Sequence, residues 1–473
     1  MPRAEIFADN IPVSLTEALA QLKQLHVESV LLPVLIQLTL IVLTARLFAW
    51  AFRKMGQPGV VGEIAAGLVL GPSVLGRLWP ELSNAVFHPQ AAGVDPALFG
   101  SLLNWILTTL AQLGLVFLLF LIGLEFDFSH LRWNGRSALA ISLVGVLAPF
   151  VLGIGLAFAI HSGVEPHPDA QGAPVPLLGF ALFLGTAMSI TAIPTLGRMM
   201  VELGIHRTRL GAITISAAAV DDAIGWILLA AVAAIVRGNF QFSGVAVMVG
   251  ETVAFGLSMI FIARPLLRRW TAAALRRGAG EIGLNDFAIF LAILLLAAIA
   301  TSLIGIFAIF GGFFLGAILS DLPEFRSAIQ RQLSQFVTAF LLPIFFTYTG
   351  LRTDIGSLES PHLWLLCGLV FAVALVGKFG GCGLAARWSG FSRRESACIG
   401  VMMNTRALME LIVINLGYDL RVIPRSVFCM LVLMAVVTTV ITTPLLLRLG
   451  QGTELEEPMR NSGFLKSQER KKS

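Results

Sequence analysis

Apolar runs long enough to cross a bilayer core of about 30 Å recur along the whole chain, separated by short polar stretches. Reading these windows in order gives about thirteen segments. They lie near 31–52, 59–76, 103–124, 137–160, 176–200, 209–236, 243–263, 286–303, 305–320, 333–350, 362–386, 395–417 and 424–447. A segment of this kind is expected to be helical, because a helix satisfies its own backbone groups in lipid. The pair between 286 and 320 is either two short helices split at Gly305 or one long bent helix. The expected fold is an all-α polytopic membrane protein. An extramembrane segment covers 1–30, the membrane region 31–448, and a short polar tail 449–473.

Composition narrows the class. Of 473 residues, 56% are hydrophobic and 13% charged, with a mean hydropathy of +0.85. A soluble domain cannot hide that much apolar surface. Lys and Arg outnumber Asp and Glu by 33 to 28. In a soluble chain that excess would suggest nucleic acid; here it suggests basic inner loops and a lipid bilayer as partner, with no nucleic acid. With the N-terminus outside, the inner loops hold Arg53, Lys54, Arg132, Arg136, Arg198, Arg207, Arg209, Arg264, Arg268, Arg269, Arg276, Arg277, Arg326, Arg331, Arg387, Arg393 and Arg394. The outer loops hold Arg77, Arg237, Arg352, Arg421 and Arg425. This bias obeys the positive-inside rule and puts the tail in the cytoplasm. An even number of spans would destroy it. The N-terminus carries acids and lacks a basic region followed by an apolar run, so it does not read as a cleavable signal. The four cysteines form no CxxC pair and read as small core residues. After Leu449 the chain is too short for an appended nucleotide-binding domain, and no cofactor is expected.

The segments repeat. The second reads VVGEIAAGLVLG from Val60, and the ninth IFGGFFLGAILS from Ile309. The third ends with Gly123, Leu124 and Asp127, and the tenth with Gly350, Leu351 and Asp354. Both pairs lie seven segments apart. An odd offset gives the halves opposite orientations, and inverted repeats are a transporter architecture.

Polar chemistry is concentrated in a few spans. The fifth carries Thr186, Ser189, Thr191 and Pro194 in GTAMSITAIP. Proline removes a backbone donor there, so the segment is either kinked or functionally broken. The hydroxyls can re-satisfy freed backbone groups or face a cation. Seven segments later lies NTRALME, with Asn404, Thr405, Arg406 and Glu410. Arg406 and Glu410 stand at i,i+4, so they either pair on one helix face or contact an ion. Glu63 and Glu125 lie near segment ends and read as interfacial; His206 reads as a solvated loop residue.

The sixth segment carries adjacent aspartates, Asp221 and Asp222, in AVDDAIGW. Asp222 lies roughly 18 Å along the helix, near the bilayer centre. Ionisable residues at that depth are functional-site candidates. Neighbouring helical positions diverge by about 100°, so the two carboxylates cannot share one target. Lys378 is the deepest lysine, set among Gly377, Gly380, Gly381 and Gly383. Its distance of about 13 Å from Arg387 strains a snorkelling arrangement. Lys378 is therefore expected to pair with Asp221, leaving Asp222 for the substrate. Two negatives and one positive suit one monovalent cation, or a proton in its place.

The ordered set GEIAAGLVLGPSVLG (62–76), LIGLEFD (121–127), TAMSITAIP (186–194), AVDDAIGW (219–226), GKFGG (377–381) and MNTRALMELIVINLG (403–417) resembles the monovalent cation:proton antiporter superfamily. Within it the chain resembles the branch with bacterial Na⁺/H⁺ and K⁺/H⁺ exchangers and plant cation/H⁺ exchangers. The resemblance implies two crossed discontinuous helices, the fifth and twelfth. It implies that Asp222 is the shared cation/proton carboxylate and that Asp221 meets Lys378; Asp222, Asp221 and Thr191 are the expected ion- and proton-binding residues. It also implies core transport helices at about 137–236 and 362–447, moving against dimerisation helices at about 31–124 and 286–350, in a homodimer. The implied setting is the bacterial inner membrane, and the implied activity is transport without enzymatic chemistry. Ala407 stands where the family's motif has Gly. An intramembrane aspartyl protease is the poorer reading, since it draws its two aspartates from separate helices. A cation channel fits broken helices and an inward lysine less well than a gated site does.

Overall fold

A computed structural model describes residues 25–57, 59–91, 93–125, 135–164, 176–191, 193–237, 242–278, 280–406 and 408–462. Asp127, Arg132, Ala407, the first part of the N-terminal segment and the end of the tail lie outside the described residues. Among those described, ten helices are long and apolar enough to cross a membrane, and Leu177–Ser189 and Ala308–Leu319 are shorter apolar helices.

The principal helices are α1 (Val27–Lys54), α2 (Gly59–Leu70), α3 (Pro96–Glu125), α4 (Gly135–Ile160), α5 (Leu177–Ser189), α6 (Ile193–Glu202), α7 (Arg209–Arg237), α8 (Phe242–Ser258) and α9 (Arg264–Arg277). They continue with α10 (Leu284–Ile304), α11 (Ala308–Leu319), α12 (Pro323–Phe336), α13 (Leu342–Arg352), α14 (Pro361–Leu375), α15 (Gly381–Trp388), α16 (Arg393–Met403), α17 (Leu408–Asp419) and α18 (Arg425–Leu449). Local chemistry sets several boundaries. Ser392 and Glu395 form a reciprocal capping box that starts α16. Ser360 caps α14, whose first residue is a proline. Gly305, at φ +102°, ends α10 in the left-handed conformation. The 286–320 region is thus two helices and not one bent one. Three π-helical turns, Met259–Ala263, Val337–Leu341 and Val376–Gly380, join helices without a break in the chain's course.

The chain divides into two compact units. One comprises 1–51, 62–115 and 335–356; the other comprises 52–61, 116–334 and 357–473. In the first, α2 and α13 meet backbone to backbone. A Cβ on Gly67 would lie 2.7 Å from the Cα of Gly350, and a Cβ on Gly350 would lie 2.7 Å from the Cα of Gly67. The second unit repeats this contact between α3 and α11. A Cβ on Gly123 would lie 3.0 Å from the Cα of Gly316, and one on Gly316 would lie 2.2 Å from the Phe120 carbonyl oxygen. Gly67 and Gly316 are equivalent in the repeat, as are Gly123 and Gly350. Each half's second segment therefore packs on the other half's third, through the small residues that let membrane helices approach. Gly62 and its equivalent Gly311 press on the preceding helix in each half, against Phe48 and Ala297.

Glu63 differs from its expected interfacial position. It is only 6% exposed and lies 3.6 Å from Arg46. A carboxylate on a helix this closely packed is covered by its neighbours and needs the cation. In the second unit, α4 meets α5 at Gly153 and Gly185. An apolar cluster including Leu196, Met199, Ile213, Ala217, Cys382 and Met402 binds α6, α7, α15 and α16.

Candidate functional site

Two helices break and meet. The first leaves helical geometry after Ser189: Ile190 is extended, at φ −79° and ψ 142°, and helix resumes at Ile193. The second leaves at Asn404, passes through Thr405 and Arg406, and resumes at Leu408. Pro194 occupies the second position of α6, where a missing N–H leaves no hydrogen bond unmade. Its side chain lies outside the described residues. Of the two sequence readings of this segment, kink or break, the chain takes the break.

The breaks are tied to each other. The Thr191 hydroxyl donates to the Met403 carbonyl at 3.1 Å. Arg406 donates to the carbonyls of Ala187 at 3.3 Å, Met188 at 2.9 Å and Ala374 at 3.3 Å. Lys378 Nζ donates to the carbonyls of Ser189 and of Gly145, the latter at 2.9 Å. The last carbonyls of α5 have no intrahelical partner. Here side-chain cations satisfy them, at the end of the helix dipole where positive charge is favourable. The carbonyls of 187–189, at the end of α5, are thus held by Arg406 and Lys378.

Lys378 lies on the π-helical turn between α14 and α15. At Gly377 a Cβ would lie 2.9 Å from the Cα of Pro149, so the glycine lets this turn press against α4. The lysine is fully buried, and its Nζ lies 2.6 Å from Asp221 Oδ2, itself fully buried. Thr191 stands beside the same carboxylate. Asp222, one position on, is 2% exposed. Arg406 also lies 3.0 Å from Glu410, and both are fully buried.

The remaining hydroxyls divide. Thr186 donates to Leu182 O at 2.8 Å; Ser189 donates to Gly185 O at 2.7 Å and approaches Val146 O at 3.1 Å. These two bond back to carbonyls one turn earlier on their own helix, with Ser189 also reaching α4. By contrast, Asn404 Oδ1, Thr405 Oγ1 and Glu410 Oε2 are buried with no hydrogen-bond partner among the described residues. Uncommitted oxygens of this kind are the donors hard cations take. The carbonyls of Gly145, Val146 and Ala374 also enter the crossing, and sequence reasoning missed them. Backbone acceptors carry no side-chain signal.

The family profile described as "Sodium/hydrogen exchanger, transmembrane" matches residues 40–448. The chain belongs to the sodium/hydrogen exchanger family. This exchanger is 38% identical over 420 residues to the Na⁺/H⁺ antiporter NhaS4 of Synechocystis, covering 89% of this chain and 97% of that protein. It is also 38% identical to cation/H⁺ antiporter 17 of Arabidopsis thaliana, covering 88% of this chain and 48% of that one. The exchanger thus spans about half the length of that plant relative. The Na⁺/H⁺-K⁺ antiporter GerN of Bacillus cereus is 28% identical, over 87% of this chain and 94% of that one. Among solved structures, the sodium proton antiporter MjNhaP1 of Methanocaldococcus jannaschii superposes with a TM-score of 0.57 at 17% identity, covering 90% and 98% of the two chains. That likeness establishes the fold. By its family, the chain is a multi-pass membrane protein among the cation/proton antiporters, which are transporters and not enzymes.

Proposed function

We propose that the exchanger trades one monovalent cation, Na⁺ or K⁺, for protons at Asp222 by alternating access. The observation that carries this reading is the fully buried Asp221–Lys378 pair, with a second buried carboxylate one residue on, at the crossing of two broken helices. Lys378 pairs with Asp221, and Asp222 is the carboxylate assigned here to the transported ion. A buried carboxylate binds a proton or a cation, but not both, and that competition couples the two fluxes. The loaded site is neutral and can cross; the empty charged site is held back by its desolvation cost. Asn404 and Thr405 offer further oxygens, and Thr191 positions the carboxylate.

Arg406 and Glu410 hold the crossing together. Helices at about 137–236 and 362–447 form the moving body and those at about 31–124 and 286–350 the dimerisation body, in the bacterial inner membrane with the tail cytoplasmic. The names of the Synechocystis and Bacillus relatives support Na⁺ or K⁺ as the ion.

The test is proton flux in proteoliposomes after addition of Na⁺, K⁺ or Li⁺. Wild-type protein should dissipate an imposed pH gradient with at least one of these ions. Asp222→Asn should abolish that response while melting at or above the wild-type temperature. Undiminished exchange in Asp222→Asn would overturn the assignment.

A further inference from the structure

In the second unit, α7, α8, the π-helical turn 259–263, α9, α11 and the start of α12 line a cavity of about 780 Å³ that none of the proposed ion-site residues lines. Its inner wall is aromatic: Trp226, Phe310, Phe313 and Phe314. Trp226 meets Phe310 edge to face at 5.1 Å. Its outer rim carries Ile227, 69% exposed, and Ile260, 46% exposed. On a membrane protein such residues face acyl chains, so the cavity opens sideways to lipid. Its far end is charged, with Arg264, Asp321 and Arg326.

We propose that this cavity binds an anionic phospholipid, with one acyl chain inside and the phosphate against Arg264 and Arg326. Three features point to that occupant. The volume and aromatic wall suit a flexible hydrocarbon, and falls within the range of small-molecule pockets. The charged end is net positive: Arg264, 2.6 Å from Asp321, and Arg326 line it with that one carboxylate, and Arg268, outside the lining, stands 3.8 Å from Asp321. Basic pockets between membrane helices are recognised sites for anionic headgroups, and guanidinium suits phosphate geometry. Finally, the lining is short of acceptors. The Trp226 indole N–H, on a residue 4% exposed, and Arg264 Nε have no hydrogen-bond partner among the described residues. Thr252 and Ser320 already donate to their own helices' carbonyls. A phospholipid brings phosphate and ester oxygens to such a wall. A zwitterionic headgroup would add a cation beside three arginines, and a free phosphate ion would leave the apolar interior empty.

The site is separate from the ion site, yet Trp226 is four residues after Asp222 and so lies on the same side of α7. A chain lodged there braces the helix that carries the carboxylate.

The test uses the full-length protein, delipidated in detergent, with dioleoyl phosphatidylglycerol or dioleoyl phosphatidylcholine at equal ratio. Retention is read by native mass spectrometry and stabilisation by thermal shift, so failure of the transport reading would not touch the result. Phosphatidylglycerol should be retained roughly thirtyfold better, as two basic contacts at an anionic surface predict. Arg264→Gln with Arg326→Gln should bring it down to the phosphatidylcholine level. Arg276→Gln, an exposed arginine outside the cavity, should not. Ile227→Trp, at the exposed rim and therefore benign for folding, should lower retention of both lipids by obstructing entry. Equal retention of the two lipids, or a preference that survives the double substitution, overturns the proposal. So does a double variant that loses dimer without losing lipid, since the face then seats a second copy of the chain.

Discussion

Lys378 Nζ lies 2.6 Å from Asp221 Oδ2, across 157 positions of sequence, with neither side chain reached by solvent. The same ammonium donates to carbonyls on α4 and at the end of α5. One lysine thus holds together three elements of the second unit and neutralises one of two neighbouring aspartates.

Removing the two partners of this pair should have unequal effects. Lys378→Ala leaves a buried carboxylate without compensation and frees two buried carbonyls. A loss of about 3–5 kcal/mol is expected. Asp221→Asn leaves the ammonium its two carbonyls and should be milder. Adding Asp221→Asn to Lys378→Ala should restore part of the lost stability. Melting temperatures of the three variants in detergent check this, and additivity of the two single changes would exclude direct coupling.

Arg406 offers a second asymmetry. Its guanidinium reaches Glu410 and three carbonyls, of which two end α5. A lysine is a point donor and cannot reproduce that fork. Arg406→Lys should therefore lower the melting temperature by several degrees, and Arg406→Ala by more. Equal melting of Arg406→Lys and wild type would mean that charge alone suffices at the crossing.

Among the hydroxyls of the fifth segment, Thr191 should matter most for ions. Thr191→Val keeps shape but removes the donor to Met403 and the hydroxyl beside Asp221. It should raise the half-saturating cation concentration several-fold, in line with about 1 kcal/mol for one hydrogen bond. Thr186→Val removes only a bond to its own helix and should leave that concentration unchanged. The assay is cation-dependent proton flux in proteoliposomes, and a larger effect at Thr186 would reverse the roles given to the two residues.

The reciprocal glycine contacts predict equivalent sensitivity in the two halves. A Cβ at Gly67 would lie 2.1 Å from the Thr347 carbonyl oxygen, and one at Gly316 would lie 2.2 Å from that of Phe120. Gly67→Ala and Gly316→Ala should each cost about 1–3 kcal/mol through overpacking. Gly100, with nothing within 4 Å of its virtual Cβ, is the control. Gly100→Ala should be neutral or stabilising by up to about 1 kcal/mol, because alanine is the better helix former. Thermal melting of the three variants decides it.

The sequence alone determined the apolar helical spans and the repeat, and it marked the two spans in which the chain breaks without deciding between a kink and a break. Each is a local property: apolar length, a glycine motif recurring at one offset, a proline or an Asn-Thr-Arg run inside an apolar span. The i,i+4 spacing made Arg406 and Glu410 legible as possible partners for the same reason. The separation of Asp221 from Asp222 followed from helical rotation, and Lys378 was the one lysine deep enough to answer a buried carboxylate. Tertiary structure decided what lies across those elements. The repeat identified Gly67 and Gly316 as equivalents, but only the fold shows that each meets the other half's third segment. It gave the carbonyls of 187–189 to Arg406 and Lys378 and left oxygens of Asn404 and Thr405 uncommitted. It also buried Glu63 against Arg46 and opened the cavity beside Trp226. Backbone carbonyls are identical at every residue, and a cavity belongs to no single helix. Neither leaves a trace in side-chain pattern, so contacts between positions more than a hundred residues apart become visible only when packing brings them together.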